Sequence, residues 1–147
     1  MSKQYVTFLI GAEEYGLEVT AIREIRGWVP ATPLPDSPPH LRGVIDLRGH
    51  IVPILDLRAR FGGGLTEVTP RHVVVVVAMA ERVMGILVDA VADIITAEAG
   101  AIQPVPDMET RSEAGYLAGL LALDGHMVAL LDLGHVVAGR DAAAEAA

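Results

Sequence analysis

Apolar residues along this chain come in short, β-branched runs separated by turn residues, the pattern of strands and hairpins. Gln4 to Ile10 predicts a strand that stops at Gly11, and Tyr15 to Val19 is its hairpin partner across the turn GAEE. Val19 to Ile25 (VTAIREI) places Val19, Ile22 and Ile25 on one side, as a short helical turn or an irregular crossover. Residues 30–40, PATPLPDSPPH, hold five prolines and predict an extended surface connection, because proline removes ladder donors.

A second hairpin follows: Gly43 to Leu47, a turn at Arg48-Gly49, then Ile51 to Leu55, with Asp56 capping a short helix through Phe61. GGGLTEVTPR (62–71) is the linker candidate, and His72 opens no motif. Val73 to Ala80 and Val83 to Val88 make a third hairpin, with Ile94 to Thr96 continuing the sheet. Residues 103–115 read as loop. Leu120 to Leu123 and Met127 to Leu131 pair around Asp124-Gly125, and the alanine-rich tail, 141–147, frays.

An internal repeat organises these elements. Sliding the chain by 76 residues lays GVIDLRGHIVPILDL (43–57) on GLLALDGHMVALLDL (119–133), with eight of 15 positions identical, among them Gly43/Gly119, His50/His126 and Asp56/Asp132. At an offset of 69, Gly16, Val19, Ala21 and Ile25 fall on Gly85, Val88, Ala90 and Ile94, and Glu24 on Asp93. The expected architecture is two related all-β halves meeting near residues 62–71. Short strands at this spacing favour small closed barrels, which hide their edges.

Composition narrows the function classes. A chain of 147 residues, 52% hydrophobic, can bury a core without a staple, and with no cysteine it has no disulfide or thiolate zinc site. The longest apolar run, Val73 to Ala80, is too short to span a bilayer, and the N-terminus has no signal-peptide core, so a cytoplasmic address with no membrane insertion is expected. A net charge of −8 and only 4% aromatic residues argue against nucleic acid.

The repeat also sorts the charged residues. Asp56 and Asp132 recur in both halves, so the economical reading is architectural, each capping the turn after its strand. His50 and His126 share a place beside a turn glycine and read as turn histidines with free rings; a two-histidine metal site lacks nearby partner ligands. Asp46 and Arg48 differ, because their counterparts are Ala122 and Asp124. Glu24 is the obvious acid to meet Arg48. Such a pair adds too little stability to explain its presence, which leaves a solvated ion pair without a role or a positioned pair on a docking surface. Gly62-Gly63-Gly64 lacks the Lys-Ser/Thr of a phosphate loop, and no G-x-S-x-G occurs. Asp89 and Asp93 read as a solvated face rather than an acid–base pair. A small-ligand or hydrolytic β-barrel using Asp46, Asp56 or His50 is the competing class.

EIRGW (24–28) followed by GVIDLRGHIVPILDLRARFG (43–62), with MGILVDAVADI (84–94) and YLAGL…LLDL (116–133), resembles the bacterial chemotaxis coupling protein family, CheW, over residues 4 to 137. The resemblance implies an all-β chain of two small SH3-like five-stranded barrels with short helices at the crossovers. It implies one domain over 1–140 built of intertwined subdomains, about 15–62 and 72–137, the N-terminal strand crossing to the other barrel. It implies no catalysis and no cofactor. The implied partners are the cytoplasmic tips of transmembrane chemoreceptors and the regulatory domain of the chemotaxis histidine kinase, in arrays at the inner face of the membrane. The alternative keeps the adaptor role but places it in a non-flagellar pathway, pilus-driven or other chemosensory control.

By position, Glu24 and Arg48 match the family's acid–arginine pair, Ile22 an apolar groove residue, and Leu87 and Val88 an aliphatic pair on the second barrel's face. Ile22, Leu87 and Val88 read equally as core, and strand alternation prevents Leu87 and Val88 from sharing a face. The family commonly has Asn at position 46; an Asp there cannot donate a hydrogen bond.

Overall fold

The computed structural model describes residues 2–79, 82–105, 116–123 and 125–137. Most of the predicted loop 103–115, the turn residue Asp124 and the tail 141–147 lie outside the described residues. Among the described residues eleven strands form two sheets. They are β1 (Ser2–Ile10), β2 (Glu13–Glu18), β3 (Ile22–Gly27), β4 (Leu41–Leu47), β5 (His50–Asp56), β6 (Val73–Met79), β7 (Arg82–Val88), β8 (Ala90–Glu98), β9 (Ile102–Gln103), β10 (Leu117–Leu123) and β11 (His126–Leu131). The one-turn helix α1 (Leu57–Arg60) follows β5, and residues 133–137 are helical after β11.

All four predicted hairpins form, and two elements differ from expectation. After a 3-10 turn at Val19–Ala21, residues 22–27 are a strand rather than a crossover, with their amides satisfied by pairing to β6. β8 is also three times as long as the Ile94–Thr96 segment predicted, because mostly exposed residues of low apolar contrast continue it on both sides.

The chain separates into two compact units, Met1–Val19 with Val91–Ala147 and Thr20–Ala90. The sequence repeat placed the division at 62–71 instead. Within the Thr20–Ala90 unit the strand order is β3-β6-β7-β5-β4; within the other it is β8-β1-β2-β11-β10, extended by the two-residue β9. The orders are equivalent strand for strand, but each unit takes its leading hairpin from one repeat and its remaining three strands from the other. Segment 62–71 is therefore internal to one unit.

Register preserves the repeat to the residue. The β4–β5 pairing shifts between Leu41 and Gly43, and β10–β11 shifts between Leu117 and Gly119, at the same offset. A parallel contact closes each sheet, Ile54 facing Gly85 in one unit and Leu130 facing Gly16 in the other. A Cβ at residue 85 would come within 2.6 Å of Ile54 Cδ1 and 2.7 Å of Val74 Cγ1, so only glycine lets the strands approach. Ile45, Leu47, Val52, Ile54, Val74, Val76 and Leu87 form the core of the Thr20–Ala90 unit. Tyr5, Ala97, Leu121, Val128 and Leu130 form that of the other.

Segment 62–71 is also not a free linker. The Asp56 side chain is fully buried, and it accepts hydrogen bonds from the Thr66 amide (2.8 Å), the Thr66 hydroxyl (2.8 Å) and the Ala59 amide (3.3 Å). Arg42 lies 3.7 Å from the same carboxylate, and the Asp56 amide donates to the His40 carbonyl at 2.7 Å. Asp56 thus fastens three segments, its amide holding the end of the proline-rich segment and its carboxylate α1 and the following loop. In the proline-rich segment itself, Thr32 exchanges two backbone hydrogen bonds with Val44 (2.8 and 2.9 Å).

Gly85→Ala is expected to destabilise the fold by about 1–3 kcal/mol, since the added methyl overpacks a closed core. Urea unfolding of the two proteins measures the difference.

Candidate functional site

The turn joining β4 to β5 carries the residues that the repeat singled out. Arg48 and Gly49 both have positive φ, +53° and +87°, the geometry of a tight type I′ hairpin. The Asp46 carboxylate accepts from the Gly49 amide at 2.8 Å. That role needs only an acceptor, so Asp serves where the family commonly has Asn. A type I′ turn favours Asn, Asp or Gly at its first central position, and arginine there works against the local backbone preference.

Arg48 is held by a partner. Its guanidinium donates to Glu24 on β3, and Arg26 approaches the other oxygen of that carboxylate at 3.5 Å. Hydrogen bonding to Arg48 holds the Glu24 carboxyl below its usual range and raises the Arg48 guanidinium above its own. The pair is a surface one, with the Arg48 side chain 71% exposed.

These side chains border a concavity of about 690 Å³ in the Thr20–Ala90 unit. Leu47, Val52 and Val76 are buried at its floor, with Val83 half-buried beside them. Arg23, His50 and Ile51 are exposed at its margin, and Ile51, at 67%, is the most exposed of the large apolar side chains. A mixed surface, with Ile51 and Val83 as its accessible apolar side chains and an oriented ion pair at its border, suits the docking of a protein surface. Among the described residues no three acidic or histidine side chains are placed to share a metal ion.

Of the residues expected at the site, Glu24 and Arg48 meet. Ile22 is half-buried at the start of β3, opposite Val77, and does not line the concavity. Leu87 and Val88 require correction: they are 0% and 1% exposed and cannot present a binding face. Both lie on β7, which runs between β6 and β5 and is covered on both sides, so alternation buries the two of them. The concavity's floor and Arg23 were not anticipated; the absence of Arg23 from the second repeat, where Ala92 stands, was the available signal.

Other polar residues have structural work. The Asp132 side chain accepts from the His135 amide at 3.2 Å, as the repeat predicted for a cap. Burial pushes its carboxyl up, but the His135 ring and amide outweigh that and hold it below the usual range. His126 is not a free ring; its Nε2 lies 3.2 Å from Glu14. His72 also has a use. Its Nδ1 accepts from the Thr69 amide at 3.0 Å, which leaves Nε2 to face Asp89 at 3.3 Å, and Arg58 donates to the same carboxylate at 2.6 Å.

With the geometry in view, comparison with known proteins is decisive: residues 4–140 match the CheW-like domain. The chain belongs to the CheW family. It is 44% identical to the chemotaxis protein CheW of Rhizobium meliloti (strain 1021) over 91% of this chain and 86% of that one. It is 37% identical to the chemotaxis protein CheW of Klebsiella aerogenes over 90% and 80% of the respective chains. The crystal structure of scaffolding protein TtCheW from Thermoanaerobacter tengcongensis superposes with a TM-score of 0.86 at 30% identity, covering 94% of each chain. The fold is accordingly the all-β CheW fold of two small SH3-like barrels, and the chain is a chemotaxis scaffold.

Arg48→Asn is expected to leave the melting temperature unchanged or raise it, because Asn suits the turn while the lost pair is solvent-exposed. Differential scanning calorimetry checks this. Since the folded-state carboxyl of Glu24 is lowered, its pairing with Arg48 is complete at neutral pH and is lost only as pH falls below the ordinary glutamate range. Carboxyl chemical shifts followed by NMR should give a lower midpoint for Glu24 in the native chain than in Arg48→Asn.

Proposed function

We propose that this chain couples chemoreceptors to a histidine kinase as a non-enzymatic cytoplasmic scaffold, recruited to receptor arrays at the inner face of the membrane. The carrying observation is the Glu24–Arg48 pair beside the concavity. Arg48 occupies a turn position that favours other residues, its counterpart in the second repeat is Asp124, and its stabilising effect is small. A charged pair with these properties is best explained by what it orients. In this reading the receptor's cytoplasmic tip lays apolar side chains against Ile51 and Val83, while Glu24 and Arg48 set its register. The kinase's regulatory domain is held elsewhere on the same chain, so that receptor conformation reaches the kinase through the scaffold.

Arg48→Glu sets two carboxylates against each other, and receptor binding is expected to fall about tenfold or more. The measurement is co-sedimentation with receptor membranes and kinase, alongside a kinase activation assay. Unchanged receptor binding and activation by a folded Arg48→Glu protein would place the docking face elsewhere.

A further inference from the structure

The ladder between β3 and β6 is irregular at one place. Ile22 faces Val77 and Glu24 faces Val76, so Arg23 is the extra residue of a bulge. A bulge re-aims a side chain out of the ladder's alternation. Here it brings Arg23 to the border of the concavity although its neighbour Glu24 borders it too.

Charge makes Arg23 distinctive. Glu24 is already shared by Arg48 and Arg26. Arg23 is exposed and has no side-chain ion pair or hydrogen bond among the described residues. The concavity's border therefore has two arginines, Arg23 and Arg48, beside one glutamate that Arg26 also approaches from outside the border, on a protein whose net charge is −8. The fold does not require this: at the equivalent place in the second repeat, Arg23 becomes Ala92 and Arg26 becomes Ile95, while Glu24 remains acidic as Asp93.

Resting on the docking role proposed above, we infer that Arg23 is a specificity-determining residue, selecting a partner segment that carries a carboxylate beside an aliphatic anchor. The aliphatic group packs on Ile51 and Val83 while the carboxylate pairs with Arg23, the cation that Glu24 leaves uncompensated. A border charge of this kind speeds encounter with an acidic partner and rejects a basic one, more than it adds affinity.

The test compares the native chain with Arg23→Gln, Arg23→Lys and Arg48→Glu, measuring association rates with a soluble cytoplasmic fragment of the chemoreceptor across a range of salt. Arg23→Gln is expected to slow association about two- to fivefold at low salt, with the difference vanishing at high salt, and Arg23→Lys to keep the native rate. Circular dichroism should be the same for all, since the residue is exposed. If Arg23→Gln binds with native rate and salt dependence while Arg48→Glu is impaired, the inference falls and the docking role stands. If Arg48→Glu binds normally, the docking role itself falls. Equal loss in Arg23→Lys and Arg23→Gln would make the residue's packing, not its charge, the cause and would also overturn the inference. So would an effect confined to self-association of the free chain in sedimentation, which would make the occupant a second copy.

Discussion

A parallel strand contact made at a glycine joins the leading hairpin of each unit to strands of the other repeat. In the Thr20–Ala90 unit β7 lies against β5 with Gly85 opposite Ile54, and in the other β2 lies against β11 with Gly16 opposite Leu130. A two-residue turn cannot make a parallel contact, so the paired strands must come from distant parts of the chain. Here those strands come from different repeats, so each repeat supplies its leading hairpin to the unit completed by the other. Segment 62–71 then connects strands of one unit and is fastened inward by Asp56.

The same framework sets what the docking face can be. Strand β5 makes the parallel contact through its buried end, Ile54 to Asp56, and carries the turn holding Arg48 at its exposed end, so the turn projects from a strand anchored in the core. Glu24 comes from β3, at the opposite edge of the same sheet. Sheet curvature brings the edges together, and the ion pair spans them. A surface pair anchored on two rigid strands loses little entropy when a partner binds, which suits it to fixing orientation.

Much of this was legible in the sequence because the repeat acts as an internal control. Residues shared by both copies, such as Asp56 and Asp132, are structural caps, and residues confined to one copy, such as Arg48, belong to the site. The misplaced division has a physical origin: self-similarity reports which segments share a fold, whereas strand exchange depends on long-range pairing that leaves no local pattern. Strand β3 was missed because its apolar residues fit a helical turn as well as an edge strand. Leu87 and Val88 read as surface by analogy and as core by pattern, and a central strand covered on both faces decides for the core. Arg23 was overlooked because a bulge cannot be read from alternation.

Strand exchange between the repeats has a consequence for the nascent chain as it leaves the ribosome. Residues 20–90 can complete their own unit early, since all five of its strands emerge together. The first hairpin cannot, because its parallel partner, β11, follows it only after β3 to β10 have been made. At roughly 5–20 residues per second, its apolar face spends several seconds uncovered after synthesis. Lys3, Glu13, Glu14 and Glu18 put charge on or beside that hairpin, and charge on an unpaired β-ribbon disfavours edge-to-edge association.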